Sequence, residues 1–239
     1  MIDLIPAIDI INGSCVRLVE GDFDRKTDYG HDPVMMTKFF EGAGFKRLHV
    51  VDLEGARSGS PIHIPLLKRM ANDRKITIDF GGGVREADQV EEILKAGAKQ
   101  VSIGSIAVKD PDKVVEWIQK FGPESFLLGA DIKDGKIATN AWMETSSLTI
   151  DEFLSTWIEK GIKQFFCTDV SRDGKLQGPA LDLYKKIKKD FPEIYIVASG
   201  GVSNVGDIQE LDDAGIDAVI FGKAYYEGRI TINELSKWL

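Results

Sequence analysis

The sequence predicts a (β/α)8 barrel assembled from two similar halves. Three observations carry the prediction. The chain nearly repeats itself at half its own length. Ile78-Asp-Phe-Gly-Gly-Gly-Val84 and Val101-Ser-Ile-Gly-Ser105 are echoed by Ile196-Val-Ala-Ser-Gly-Gly-Val202 and Val219-Ile-Phe-Gly-Lys223, 118 positions further on in a chain of 239. Such a period is too long for a solenoid unit and fits a duplicated half-domain. Eight apolar runs recur along the chain, most of them continuous rather than alternating, as in parallel strands covered on both faces. Amphipathic segments ending at glycine lie between them, and strand alternating with helix implies right-handed crossovers and a parallel sheet.

Taken in order, Leu4–Ile8 is the first strand, and Ile8-Asp-Ile10 with Asn12-Gly13 opens the first half as Ala130-Asp-Ile132 with Asp134-Gly135 opens the second. The stretch Asn12–Asp32 reads as irregular. Pro33–Ala43 is helical and stops at Gly44. The second strand is Arg47–Val51 and the third Ile76–Phe80. Glu86–Ala96 is a helix ended by Gly97 and leads to the fourth strand, Gln100–Ile103. Phe126–Ala130 is the fifth strand, followed by an irregular stretch, Lys133–Thr149. The helix Ile150–Lys160 ends at Gly161 before the sixth strand, Gln164–Thr168, and Ser171–Pro179 is again irregular. Ile194–Ala198, the helix Asp207–Ala214 with Gly215, and Ala218–Phe221 complete the eight units. An open doubly wound sheet is the competing architecture, but such sheets rarely consist of two equal halves. One domain over residues 1–239 is expected, of ordinary barrel size.

Composition limits the partners. The net charge is −8 and no basic run occurs, which argues against nucleic acid and anionic membranes. No stretch approaches 18 apolar residues and the N-terminus lacks a charged, then apolar, leader pattern, so a cytoplasmic protein is expected. Cys15 and Cys167 offer neither a disulfide framework nor a metal-ligand spacing, and buried free thiols are expected. A monomer without metal or cofactor is the expectation.

The chemistry falls at the C-terminal ends of the strands, the face where barrel enzymes keep their sites. Asp9 and Asp131 end the first strand of each half. Two carboxylates there can divide base and acid roles if their surroundings separate their pKa values. Gly82-Gly83 and Gly200-Gly201 end strands three and seven, and Gly104-Ser105 and Gly222-Lys223 end strands four and eight. Glycine lets backbone N–H groups approach a phosphate, and a following helix start favours the anion. Two matched phosphate loops suit a bisphosphorylated small molecule with its reactive centre between them. Asp52 and Asp169 end strands two and six, Thr168 faces the same mouth, and Asp173-Gly174 reads equally as a turn. Arg85 follows the first glycine run, as a phosphate or carboxamide ligand or a solvated surface group. His49 inside strand two is open to two readings, core histidine or substrate contact, and Trp142 to two more, loop anchor or aromatic platform for a heterocycle.

Pro6-Ala-Ile-Asp9, His49-Val-Val-Asp-Leu53, Phe80-Gly-Gly-Gly-Val-Arg85, Asp131-Ile-Lys-Asp-Gly135, Thr168-Asp-Val-Ser-Arg-Asp-Gly174, Ala198-Ser-Gly-Gly-Val202 and Gly222-Lys-Ala-Tyr-Tyr-Glu-Gly228 together resemble the phosphoribosylformimino-aminoimidazole carboxamide ribotide isomerases of histidine biosynthesis. The likeness runs from Ile5 to Gly228. It implies a (β/α)8 barrel that converts an aminoaldose phosphate to the aminoketose by a cofactor-free Amadori rearrangement. By the same resemblance Asp9 is the general base and Asp131 the general acid. Arg17, Arg85, Thr168 and Asp173 lie near the substrate, and the two glycine sets hold its two phosphates. The sequence departs from relatives at Thr139-Asn-Ala-Trp142, where they often carry Arg-Gly-Trp. Asn140 stands where bifunctional relatives use an arginine for the carboxylate of phosphoribosylanthranilate. The related cyclase subunit of imidazole glycerol phosphate synthase needs a lysine where this chain has Arg17. A non-catalytic sugar-phosphate-binding barrel is the other alternative, and it has little use for a second buried carboxylate.

Overall fold

A computed structural model describes residues 1–19, 22–140 and 142–239; Glu20 and Gly21 of the first loop and Ala141 of the Thr139–Trp142 motif lie outside the described residues. Eight parallel strands close a barrel: β1 (Asp3–Ile11), β2 (Arg47–Asp52), β3 (Thr77–Gly81), β4 (Gln100–Ile103), β5 (Phe126–Lys133), β6 (Gln164–Asp169), β7 (Tyr195–Ser199) and β8 (Ala218–Phe221). Each pairs with the next, and β8 pairs back to β1 with Ile5 opposite Ile220. All eight sequence-predicted strands are present, and closure excludes the open doubly wound sheet. Among the described residues no helix is long and apolar enough to cross a membrane.

The duplication extends to the caps. Ala87–Lys95 starts with a capping box between Glu86 and Gln89, and Val205–Asp213 with one between Asn204 and Asp207. Gly44, Gly97, Gly161 and Gly215 all have positive φ, from 73° to 108°, the left-handed conformation that ends a helix most cheaply in glycine. The main apolar core lies between strands and helices, with Phe40, Phe80, Trp157 and Tyr184 among its fully buried side chains.

The barrel interior is divided. Ile5, Ala7, Leu127, Val197, Ala218 and Ile220 fill one side with apolar surface. β2, β3 and β4 instead contribute His49, Asp79, Gln100 and Ser102, all buried and polar. At the N-terminal end of the barrel Arg47 bonds Gln100 at 3.2 Å and lies over the Tyr195 ring, whose hydroxyl donates to Asp3 at 2.5 Å.

Two stretches read as irregular are ordered. Ser14–Val19 and Asp22–His31 form an antiparallel ribbon continuing β1, and Lys136–Thr139 folds back on β5 and carries a short strand at Glu144–Thr145. The first ribbon escapes a hydrophobic-pattern search because Arg25, Lys26, Thr27 and Asp28 are all exposed. It is held by Val16 and Leu18, buried against Ile11, and by ring stacking: Tyr29 lies on Tyr226 with centroids 4.6 Å apart and planes 10° from parallel.

Candidate active site

β1 and β5 deliver Asp9 and Asp131 to the mouth, and each carboxylate meets a different neighbourhood. Arg17, carried over the mouth by the ribbon, donates from Nη1 to Asp9 Oδ2 at 3.2 Å. Its Nη2 meets Asp173, bonding Oδ2 at 2.5 Å and making a still closer contact with Oδ1. The three side chains are 12%, 17% and 11% exposed, so this network is shielded from solvent. Asp173 is therefore more than a turn residue: loop six brings it 156 positions along the chain to the guanidinium. Asp131 stands beside Thr168, its register partner on β6, and near Trp142 of loop five.

Both carboxyls titrate above their ordinary range, and burial is the first cause in each case. At Asp9, Arg17 opposes the rise while Asp173 adds to it. At Asp131 the Trp142 and Thr168 hydrogen bonds oppose it, and Asp173 again adds to it. The Arg17 guanidinium is held charged, since its two carboxylate partners outweigh burial. Asp9 thus lies against the Arg17 guanidinium, a contact that Asp131 lacks. That difference favours an ionised Asp9 beside a protonated Asp131, a base and an acid in one mouth.

His49 is buried in β2, and its Nδ1 lies 2.5 Å from Asp79 Oδ1 on β3. Burial pushes its imidazole down, but the charge and hydrogen bond of Asp79, with Asp9 and Asp131 beyond, hold it above its ordinary value. Asp79 was not singled out in the sequence. Its signal was available, a charge inside the apolar run Ile76–Phe80 beside a histidine in the neighbouring strand.

The glycine sets occupy matching places in the two halves. Gly82, Gly83, Gly200 and Gly201 all have positive φ. A Cβ on Gly83 would lie 2.0 Å from the Gly55 carbonyl oxygen, and one on Gly201 2.3 Å from that of Gly178. Glycine is required there by loop packing in addition to any anion. Gly201→Val is accordingly expected to lower the melting temperature by several degrees as well as raise KM. Thermal unfolding beside steady-state kinetics checks this, and an unchanged melting temperature would contradict it. Lys223 Nζ donates to the Gly174 carbonyl at 2.7 Å, and Gly174, Gly200, Gly201, Gly222, Lys223 and Arg17 line one recess. In the other half Ser105 Oγ accepts the Asn140 backbone N–H at 2.9 Å, tying loop five to the Gly104-Ser105 set.

Other expected residues have local duties. Asp52 is wholly buried and accepts the N–H groups of Gly55, Ile62 and His63, so it organises loop two. Asp169 bonds the N–H and hydroxyl of Ser171 and pairs with Arg172. Arg85 is exposed and its guanidinium packs over Gly59. Cys15 and Cys167 are both free and buried, and burial pushes the Cys15 thiol up to about 12.

A profile of the histidine biosynthesis protein family matches residues 3–231. The chain is 52% identical over 238 residues to a protein of Parabacteroides distasonis, covering 100% of both. It is 48% identical to a protein of Cytophaga hutchinsonii over 238 residues, 100% of this chain and 99% of that one. A Bacteroides thetaiotaomicron protein is 48% identical over 239 residues, 100% of both. All three are named 1-(5-phosphoribosyl)-5-((5-phosphoribosylamino)methylideneamino)imidazole-4-carboxamide isomerase.

Proposed function

The chain belongs to the histidine biosynthesis protein family, and on that premise we propose that it isomerises the aminoaldose substrate named by its relatives, with Asp9 as base and Asp131 as acid. The observation that carries the assignment is the unequal setting of two largely shielded carboxylates at equivalent strand ends, one on a guanidinium and the other beside Thr168 and Trp142. Asp131 gives its proton to the ring oxygen of the phosphoribosylamine. The C1–O bond breaks and the nitrogen lone pair forms a protonated Schiff base. Asp9 then removes the C2 proton. The C–H electrons become the C1=C2 bond and the C=N electrons return to nitrogen, giving an enolamine. A proton gained at C1 and one lost from the C2 hydroxyl complete the aminoketose. Gly82, Gly83, Gly104 and Ser105 hold one phosphate, and Gly200, Gly201, Gly222 and Lys223 the other, chiefly through backbone N–H groups. The cyclase alternative lacks support from the relatives' names and from Arg17. A binding-only barrel leaves the second carboxylate without a purpose.

Asn140 bears on a second substrate. Its backbone is left-handed, with φ 55°, and its Nδ2 donates to Glu144 Oε1 at 3.2 Å; Glu144 pairs with Lys109 at 2.7 Å. A neutral amide so engaged is a poor partner for an anthranilate carboxylate, which a guanidinium meets with a charged fork. Losing such a contact removes about 1.5–3 kcal/mol, one to two decades in kcat/KM. Weak or no phosphoribosylanthranilate turnover is expected. Parallel assays on the two substrates test both readings: aminoaldose turnover supports the assignment, and its absence refutes it. Efficient phosphoribosylanthranilate turnover would remove the role given to Asn140.

A further inference from the structure

Four acidic side chains and two basic ones meet in and under the mouth, and the pair at the bottom is not used by the reaction as described. Asp79 is 3% exposed, and only one of its carboxylate oxygens has a partner: Oδ1 meets His49, while Oδ2 is buried with none. Gln100, opposite it on β4, is occupied by Arg47 and by the carbonyls of Glu124 and Phe126. A buried carboxylate with a single hydrogen bond is costly unless that bond comes from a cation. The proton of the pair therefore belongs on the imidazole. The ring it charges is surrounded by the site. From β1 it faces Asp9, from β3 Asp79, from β5 Asp131, and from β6 the Phe166 ring with centroids 5.2 Å apart. Arg17 reaches the same group of charges from the ribbon through Asp9.

We propose that Asp79 is a positioning residue that holds His49 charged and oriented beneath the two catalytic aspartates, as the countercharge that lets Asp9 ionise. The inference rests on the isomerase reading of the site and adds a residue outside the mouth to it. Without a cation below, Asp9 and Asp173 would share Arg17 alone, and the base would hold its proton to higher pH. The cation lowers the pKa of both carboxyls, so its loss raises both. A higher Asp9 pKa means that activity is lost earlier as pH falls.

The test pairs spectra with kinetics. In wild type at neutral pH, nitrogen NMR of labelled histidine should show both His49 ring nitrogens protonated. In Asp79→Asn it should show a neutral ring. The acid limb of kcat/KM should move up by about one pH unit in that variant, with kcat at neutral pH about tenfold lower and KM within about threefold. Asp79→Glu, which keeps the charge, should leave the limb near its wild-type position. A merely structural role would reduce the active fraction without moving the limb. A neutral His49 in wild type, or an unmoved limb in Asp79→Asn, overturns the proposal. The wild-type spectra need neither substrate nor variant, so they decide on the pair even where the isomerase reading fails.

Discussion

Asp9→Asn is expected to lower kcat by about 10²–10⁴-fold while leaving KM near its wild-type value. The amide keeps the shape of the carboxylate but cannot accept the C2 proton. The fold should survive, because Arg17 retains both hydrogen bonds to Asp173 when its 3.2 Å contact to Asp9 loses charge. The pH profile adds a signature. Burial raises the Asp9 pKa above the carboxylate range, so wild-type kcat/KM should fall as pH drops through that raised value. Residual turnover of the variant should lack this limb. A variant keeping more than about a tenth of wild-type kcat would remove Asp9 from the base role.

Asp131→Asn is expected to lose a comparable factor at a different step. Its amide keeps the size and shape of the carboxyl beside Thr168 and Trp142, so the local geometry is preserved. It has no acidic proton to give the ring oxygen. Ring opening should stall while enolisation remains possible, and an open-chain analogue that skips the first step should recover most of the lost rate. Equal impairment on the open-chain and closed-ring compounds would show that ring opening is not the duty of Asp131.

The barrel was legible because its signals are local and repeated. Continuous apolar runs, glycine stops and strand-end aspartates recur at one offset, and closure follows from eight such units. The ribbon over the mouth was not, since its outer strand is exposed from Arg25 to Asp28 and its inner strand, Ser14–Val19, is only six residues long. It is this ribbon that carries Arg17 to Asp9 and Asp173, so the electrostatic difference between the strand-end aspartates Asp9 and Asp131 was invisible while the aspartates themselves were not. Asp52 and Asp169 show the converse. A strand-end aspartate reads alike whether it faces substrate or caps its own loop, and only the bonds to Gly55, Ile62 and His63, or to Ser171, tell them apart. The glycines of loops three and seven were read as phosphate ligands alone. Their positive φ and the carbonyls of Gly55 and Gly178 pressed against them add a packing demand that no sequence spacing discloses.

The central claim is that this chain moves a proton from C2 of a bisphosphorylated aminoaldose to make the aminoketose. Proton NMR of the purified wild-type protein with that substrate in D2O tests it most directly. The account predicts conversion to the ketose, loss of the C2 hydrogen and appearance of solvent deuterium at C1, with no added metal or cofactor. Substrate that stays unchanged, its C2 hydrogen intact, would contradict it.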